Sequence, residues 1–159
     1  MATSAVQIIL GSESDAGIVR DSGMADILRG CGVDFACDAY SAHRNPRELA
    51  EFCASRLAGD TRVFIAAAGM AAALPGAVAG LVAPSGFVLG VPLDRDGVDS
   101  CLHMPPGVPV ATMGVGKPGL RNAAIAAVQI LAMFDEAGTR LFVQWHEGTA
   151  KHPKRDIEL

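Results

Sequence analysis

The stretch VQIILGSESD, residues 6–15, decides the fold class. Its first five residues form a short run, aliphatic except for Gln7, that stops at Gly11. A run of that length closed by a turn signal is the pattern of a buried strand. Beyond the glycine the apolar spacing lengthens into that of a helix reaching Cys31, so the unit reads strand, loop, helix. The unit then recurs. Residues 33–40 (VDFACDAY) alternate Val33, Phe35, Cys37 and Ala39 toward one side, as a strand does. Asn45 follows as a helix cap with Pro46 in the first turn and Glu48 three residues on, and Leu49, Phe52, Cys53 and Leu57 share the face of a helix that Gly59 ends.

Further strands are expected at 62–69 (RVFIAAAG), 86–91 (GFVLGV) and 107–115 (GVPVATMGV), with a helix starting in 71–82 (AAALPGAVAGLV). Residues 122–134 read as an alanine-rich helix that is apolar most of the way round, which suits a buried helix or a subunit interface, and a last helix is expected around 141–146. Strands alternating with helices imply a parallel sheet, right-handed crossovers and helices on both faces. No repeat, linker or low-complexity segment interrupts the 159 residues, so a single domain is expected across 1–159, with a core at about 6–134 and a C-terminal helix and tail at 135–159.

Composition narrows the partners. A net charge of -4, with only 151–155 (KHPKR) basic, argues against nucleic acid or an anionic membrane surface. No apolar run is long enough to span a membrane and no signal peptide is read. Cys31, Cys37, Cys53 and Cys101 form no C-x-x-C pair, which fits a reducing cytoplasm. His43, His103, His146 and His152 are too scattered to suggest a metal site.

In a parallel α/β sheet, ligands bind outside the carboxyl ends of the strands. Three loops there carry chemistry. In GSESD (11–15), Gly11 permits a tight turn, Ser12 and Ser14 set hydroxyls beside the amides of a helix N-terminus, and Asp15 can take ribose hydroxyls. The alternative is that Ser14 or Asp15 merely caps the helix. SAHR (41–44) brings His43, an imidazole able to remove and return a proton near neutrality, and Arg44, which can hold a phosphate or engage in an ordinary ion pair. AAAGMAAALPG (66–76) offers little but backbone and methyl groups, suited either to a flat ring against main-chain amides or to tight packing of helix on sheet. GVGKPG (114–119) lacks the spacing and the Ser/Thr of a phosphate loop and is set aside.

GSESD, SAHRNP, AAGMAAALPG, GVDS, MPPGVPVAT and RNAAIAAVQIL occur in an order that resembles the aminoimidazole ribonucleotide (AIR) carboxylase family of the PurE type, over residues 6–134. The resemblance implies a three-layer, flavodoxin-like α/β/α fold, a homo-octamer, and transfer of carboxylate onto an imidazole carbon without metal, biotin or ATP in that step. It implies that Ser12, Asp15 and Arg44 bind a ribonucleotide, that Gly11, Ser14, Ser41, Gly69 and Met70 support it, and that His43 is the proton shuttle, with carbon dioxide as the other partner. The sequence departs from the pattern of one branch, which has a histidine at Ala73 and a glycine at Met70, and residues 93–103 (LDRDGVDSCLH) are several residues shorter than their counterpart. AGMAAALPGAVAGLV, and SC followed by PGV, also look like the LarB-type carboxylase that prepares a nickel-pincer cofactor precursor. There Cys101 would be a covalent nucleophile, against the alternative of a small buried residue. A non-catalytic nucleotide-binding module retaining Ser12, Asp15 and Arg44 is a third reading.

Overall fold

The computed structural model describes residues 4–149, so the basic run at 151–155 and His152 lie outside the described residues. The five expected apolar runs form five strands: β1 (Val6–Leu10), β2 (Phe35–Ala39), β3 (Val63–Ala68), β4 (Phe87–Pro92) and β5 (Ala111–Thr112). All pair in parallel in the order β2-β1-β3-β4-β5. This is the flavodoxin-like order, whose switch point lies between β1 and β3.

Strand alternation builds a core on each face. Val6, Ile8 and Leu10 of β1, Ile65 of β3 and Leu89 and Val91 of β4 enter one core, with Leu28 and Leu120 from the helices that cover it. Ile9, Phe64, Ala66 and Val88 enter the other, against Leu49, Cys53, Leu74 and Val78. The first face is covered by α1 (Ala16–Ser22), α2 (Met24–Gly30), α6 (Gly116–Ala132) and, at its rim, α7 (Glu136–Thr149). The second is covered by α3 (Pro46–Ala58), α4 (Leu74–Val82) and the short α5 (Val98–Leu102). Because β1 and β3 are buried along their whole length, their sequences are apolar runs; β2, at the edge, leaves Cys37 exposed.

The structure revises several expected elements. The single helix from the first loop to Cys31 is two, because Gly23 is left-handed (φ 78) and the buried Ser22 hydroxyl accepts from the Met24 amide. The expected fifth strand shrinks to Ala111–Thr112, since Pro105, Pro106 and Pro109 supply no N–H. The helix expected from 122 begins at Gly116, within GVGKPG, and buries Leu120, Ala123, Ala124, Ala127 and Val128 in the protomer. The last helix is longer than expected, and residues 93–103, to which no element was assigned, carry a 3-10 turn (Arg95–Gly97) and α5. Asn45 does occupy the cap position of α3, but its side chain accepts from the Ser41 amide at 2.7 Å instead of capping the helix.

The start of α6 is packed backbone on backbone. A Cβ on Gly119 would run into the Gly114 carbonyl, which cannot swing aside as a side chain could. Gly119→Ala is therefore expected to destabilise the fold by about 1–3 kcal/mol. Urea denaturation checks it: a lowered midpoint with an unchanged slope is the expected result.

Candidate active site

The loops after β1, β2 and β3 converge. The Gly11 amide donates to the Ala67 carbonyl, and the Tyr40 amide to the Leu10 carbonyl, each at 2.9 Å, so the ladder continues past the strand ends and holds the loops side by side. A Cβ on Gly11 would lie 2.9 Å from the Ala68 Cβ, closer than packing allows. Glycine is therefore required there to let the first and third loops meet.

Above this junction lies a cavity of about 540 Å³. It is lined by Gly11, Ser12, Ser14 and Asp15 from the first loop, Ser41, His43 and Arg44 from the second, and Gly69 and Met70 from the third. Every residue nominated from the three loops is thus brought to one cavity, of the size that holds small-molecule ligands. Ala71, Ala72, Ala73 and Leu74 complete an apolar wall, and Ala73 leaves that wall without the imidazole that the resemblance implies. A second cavity, of about 410 Å³, lies at the amino ends of the strands against Ala5, Asp34 and Asp60. None of the nominated residues reaches it.

Local chemistry fixes each group. The Ser12 hydroxyl accepts from the Ser14 hydroxyl at 2.8 Å and from the Ser14 amide at 3.3 Å, capping the 3-10 turn Glu13–Asp15. Ser12 is therefore the capping side chain; Asp15 stands at the head of α1 without a side-chain cap bond, and its carboxylate is left for the cavity. The Arg44 amide donates to the Ser41 hydroxyl at 3.2 Å, and its guanidinium reaches the Gly11 carbonyl at 3.4 Å, so the second loop is tied to itself and to the first. His43 is exposed at the cavity rim.

Withdrawal from water raises the proton affinity of Asp15 above that of an ordinary carboxylate. A hydrogen bond from the Ser12 backbone opposes this, the Asp94 charge adds to it, and Arg44 opposes it again. The protonated form is thus favoured on folding, and the stability it brings is fully present below the unfolded pKa and lost as pH rises through the folded one. An Asp15 ionised at neutral pH therefore costs the fold something.

Asp94 is the group the sequence reading missed. Its carboxylate accepts from the amides of Met70 (2.8 Å), Asp96 (3.1 Å) and Gly97 (3.2 Å), although it does not line the cavity. The only signal for it was D-x-D-G at the end of a strand, the mark of an Asp-capped turn. Lys117 of the set-aside GVGKPG pairs with Asp21 at 3.3 Å, away from the cavity. Among the described residues no three His, Cys, Asp or Glu side chains gather as a metal site requires.

Flavodoxin strand order, with a cavity at the switch point rimmed by hydroxyls and a guanidinium, defines an α/β protein whose loops after the first three strands converge where such sheets bind ligands. The chain belongs to the AIR carboxylase family, whose model matches residues 5–152. It is 44% identical to the N5-carboxyaminoimidazole ribonucleotide mutase of Methanocaldococcus jannaschii, covering 91% of this chain and 89% of that one. The mutase of the same name from Escherichia coli K12 is 38% identical, over 89% of this chain and 85% of that one. The crystal structure of Treponema denticola PurE superposes with a TM-score of 0.79 at 29% identity, covering 92% of this chain and 91% of the other.

Cys101 lies on α5 with its side chain buried in the second core, does not line the cavity, and burial pushes its thiol up from the ordinary value. A nucleophilic cysteine needs the opposite environment. Cys53 is pushed up to about 11 for the same reason. Iodoacetamide applied to the native protein at about pH 7.5, below the ordinary thiol range, is expected to modify Cys37 and to spare Cys31, Cys53 and Cys101. Peptide mass mapping reads the pattern, and rapid labelling of Cys101 would contradict the assignment.

Proposed function

We propose that this chain is a carboxyaminoimidazole ribonucleotide mutase of purine biosynthesis, interconverting carboxylated forms of 5-aminoimidazole ribonucleotide with His43 as the proton shuttle. The observation that carries the reading is the convergence on one cavity of every residue nominated from the three loops. Curated relatives bearing the mutase name, one of them 44% identical over 91% of this chain, support it.

In this reading Ser12, Ser14 and Arg44 seat the phosphate, which gains charge-assisted hydrogen bonds from the guanidinium and the loop amides. Asp15 takes the ribose hydroxyls, and Gly69 and Met70 border the ring. The N–C bond of the carbamate breaks and releases carbon dioxide, which the apolar wall Ala71–Leu74 confines while water is kept away. The enamine-like ring carbon then attacks the carbon dioxide, leaving both a new carboxylate and the original proton on one carbon. His43 removes that proton, which restores the aromatic ring, and the exocyclic nitrogen regains the proton that the carbamate cleavage requires. The step is an isomerisation run to completion, or a carboxylation or decarboxylation when carbon dioxide exchanges with solvent.

The same reading carries a homo-octamer, a cytoplasmic location and a single catalytic domain. Exposed Leu102, Met133, Phe134, Leu141 and Val143 support self-association, being large apolar side chains that a lone protomer leaves in water. No described helix is long and apolar enough to cross a membrane.

His43→Asn keeps hydrogen bonding and size but removes the titrating group. It is expected to bind the ribonucleotide near normally and to lose about 100- to 10,000-fold in kcat. Steady-state assay alongside equilibrium binding checks both halves, and near-normal turnover would remove His43 from the mechanism. Arg44→Ala and Ser12→Ala are expected to weaken the ribonucleotide by about tenfold or more while changing the affinity of the free nucleoside little, because only the former offers a phosphate. Calorimetry with both ligands decides, equal losses placing the phosphate elsewhere.

A further inference from the structure

The third loop holds a conformation that its residues resist. Met70 (φ 57) and Ala72 (φ 39) are both left-handed without being glycine, and Met70 is 79% exposed, so side-chain packing does not hold it there. Such residues persist only where the surroundings over-determine them. The carboxylate of Asp94 meets that requirement. Its Oδ2 accepts from the Met70 amide at 2.8 Å, while its Oδ1 accepts from the Asp96 and Gly97 amides in the turn that follows β4.

Two glycines make the clasp possible. A Cβ on Gly69 would lie 2.8 Å from Asp94 Oδ2, and one on Gly97 would lie 2.7 Å from the Ala72 Cβ and 2.9 Å from the Met70 carbonyl. The loop and the turn are therefore closed against each other with the carboxylate between them. Asp94 does not border the cavity, but Gly69, Met70, Ala71 and Ala72 do.

We propose that Asp94 is a positioning residue: its two oxygens lock the turn Arg95–Gly97 to the left-handed loop and so fix the wall against which the ring and the released carbon dioxide are held. The proposal rests on the mutase reading for the identity of what is held, and on the clasp alone for the role of Asp94. An Asn at this place can accept through only one oxygen, so it must release either Met70 or the turn. A wall displaced by a fraction of an ångström acts on the reacting geometry more than on binding, because the phosphate seat on the other two loops is untouched.

The test uses the full chain and a mutant cycle of Asp94→Asn, Met70→Gly and the double variant, assayed with N5-carboxyaminoimidazole ribonucleotide. In the wild-type background Asp94→Asn is expected to lower kcat by about tenfold or more with KM changed by less than about threefold. In the Met70→Gly background the same substitution is expected to cost less than about threefold in kcat, because glycine holds a positive φ without a tether. No loss in the wild-type background, or equal losses in both, overturns the proposal, since a merely structural role would not depend on residue 70.

Amide exchange followed by NMR gives a reading independent of turnover. The Met70 amide is expected to exchange slowly in wild type and at least about tenfold faster in Asp94→Asn. If wild type shows no turnover of this substrate, the mutase reading fails while exchange still decides the clasp. If Asp94→Asn does not fold, the wild-type Met70 amide decides: protection beyond that of the Ala71 amide supports the clasp, and equal exchange overturns it.

Discussion

The hydrogen bond from the Gly11 amide to the Ala67 carbonyl, made where a Cβ would already collide with Ala68, is the constraint on which the site depends. It carries the β1·β3 ladder one step beyond the strands and forces their loops to leave from the same point. In this strand order the two loops then diverge, one toward α1 and the other toward α4 on the opposite face. The cavity is the space they leave. The Tyr40–Leu10 bond brings the β2 loop to the same level, so the histidine and arginine arrive beside the serines although the two loops lie far apart along the chain.

Fold and cavity were legible in the sequence to different depths. β1 and β3 could be read because strands buried on both faces leave nearly continuous apolar runs, broken only by Gln7 in β1, and α3 because Asn45, Pro46 and Gly59 mark its ends. Gly23 was not read as a break, since a lone glycine in a helical pattern is tolerated about as often as it divides one; here the buried Ser22 hydroxyl tips the balance by satisfying the Met24 amide. β5 was overestimated because Val108, Val110 and Ala111 look like a strand while the prolines between and before them remove donors. The loops that line the cavity could be singled out through their hydroxyl, imidazole and guanidinium groups, which announce their chemistry. Asp94 could not, because its work is done on backbone amides distant in sequence, and a carboxylate with that role looks the same in one dimension as any acid in a turn.

Charge around the cavity is set by opposed neighbours. Asp15 is raised by its partial burial and by Asp94, while Arg44 and the Ser12 backbone draw it down. A phosphate arriving at Arg44 would take part of that guanidinium's field away from Asp15, so occupation of one end of the site alters proton affinity at the other. A ligand that offers both phosphate and ribose hydroxyls meets this directly, since hydroxyls donating to Asp15 favour its ionised form and restore what the phosphate removes. The two ends of such a ligand are then read together.

The third loop shows why the departures from the family pattern at Met70, Ala73 and residues 93–103 belong together. An exposed methionine at positive φ lacks the conformational freedom of glycine, and removing an imidazole at Ala73 takes away a polar group that could have held the wall from within. The resemblance implies a longer segment at 93–103, and with it contacts that this chain lacks. What replaces them sits at the segment's root: the Asp94 carboxylate spans the gap, Gly97 lets Ala72 pack close beneath it, and the Leu93 amide donates to the Ala68 carbonyl at 2.9 Å, extending the β3·β4 ladder into the turn. The turn after β4 is thus held to the third loop by backbone and one side chain. That arrangement concentrates in a single carboxylate a constraint that a longer segment could distribute over many contacts.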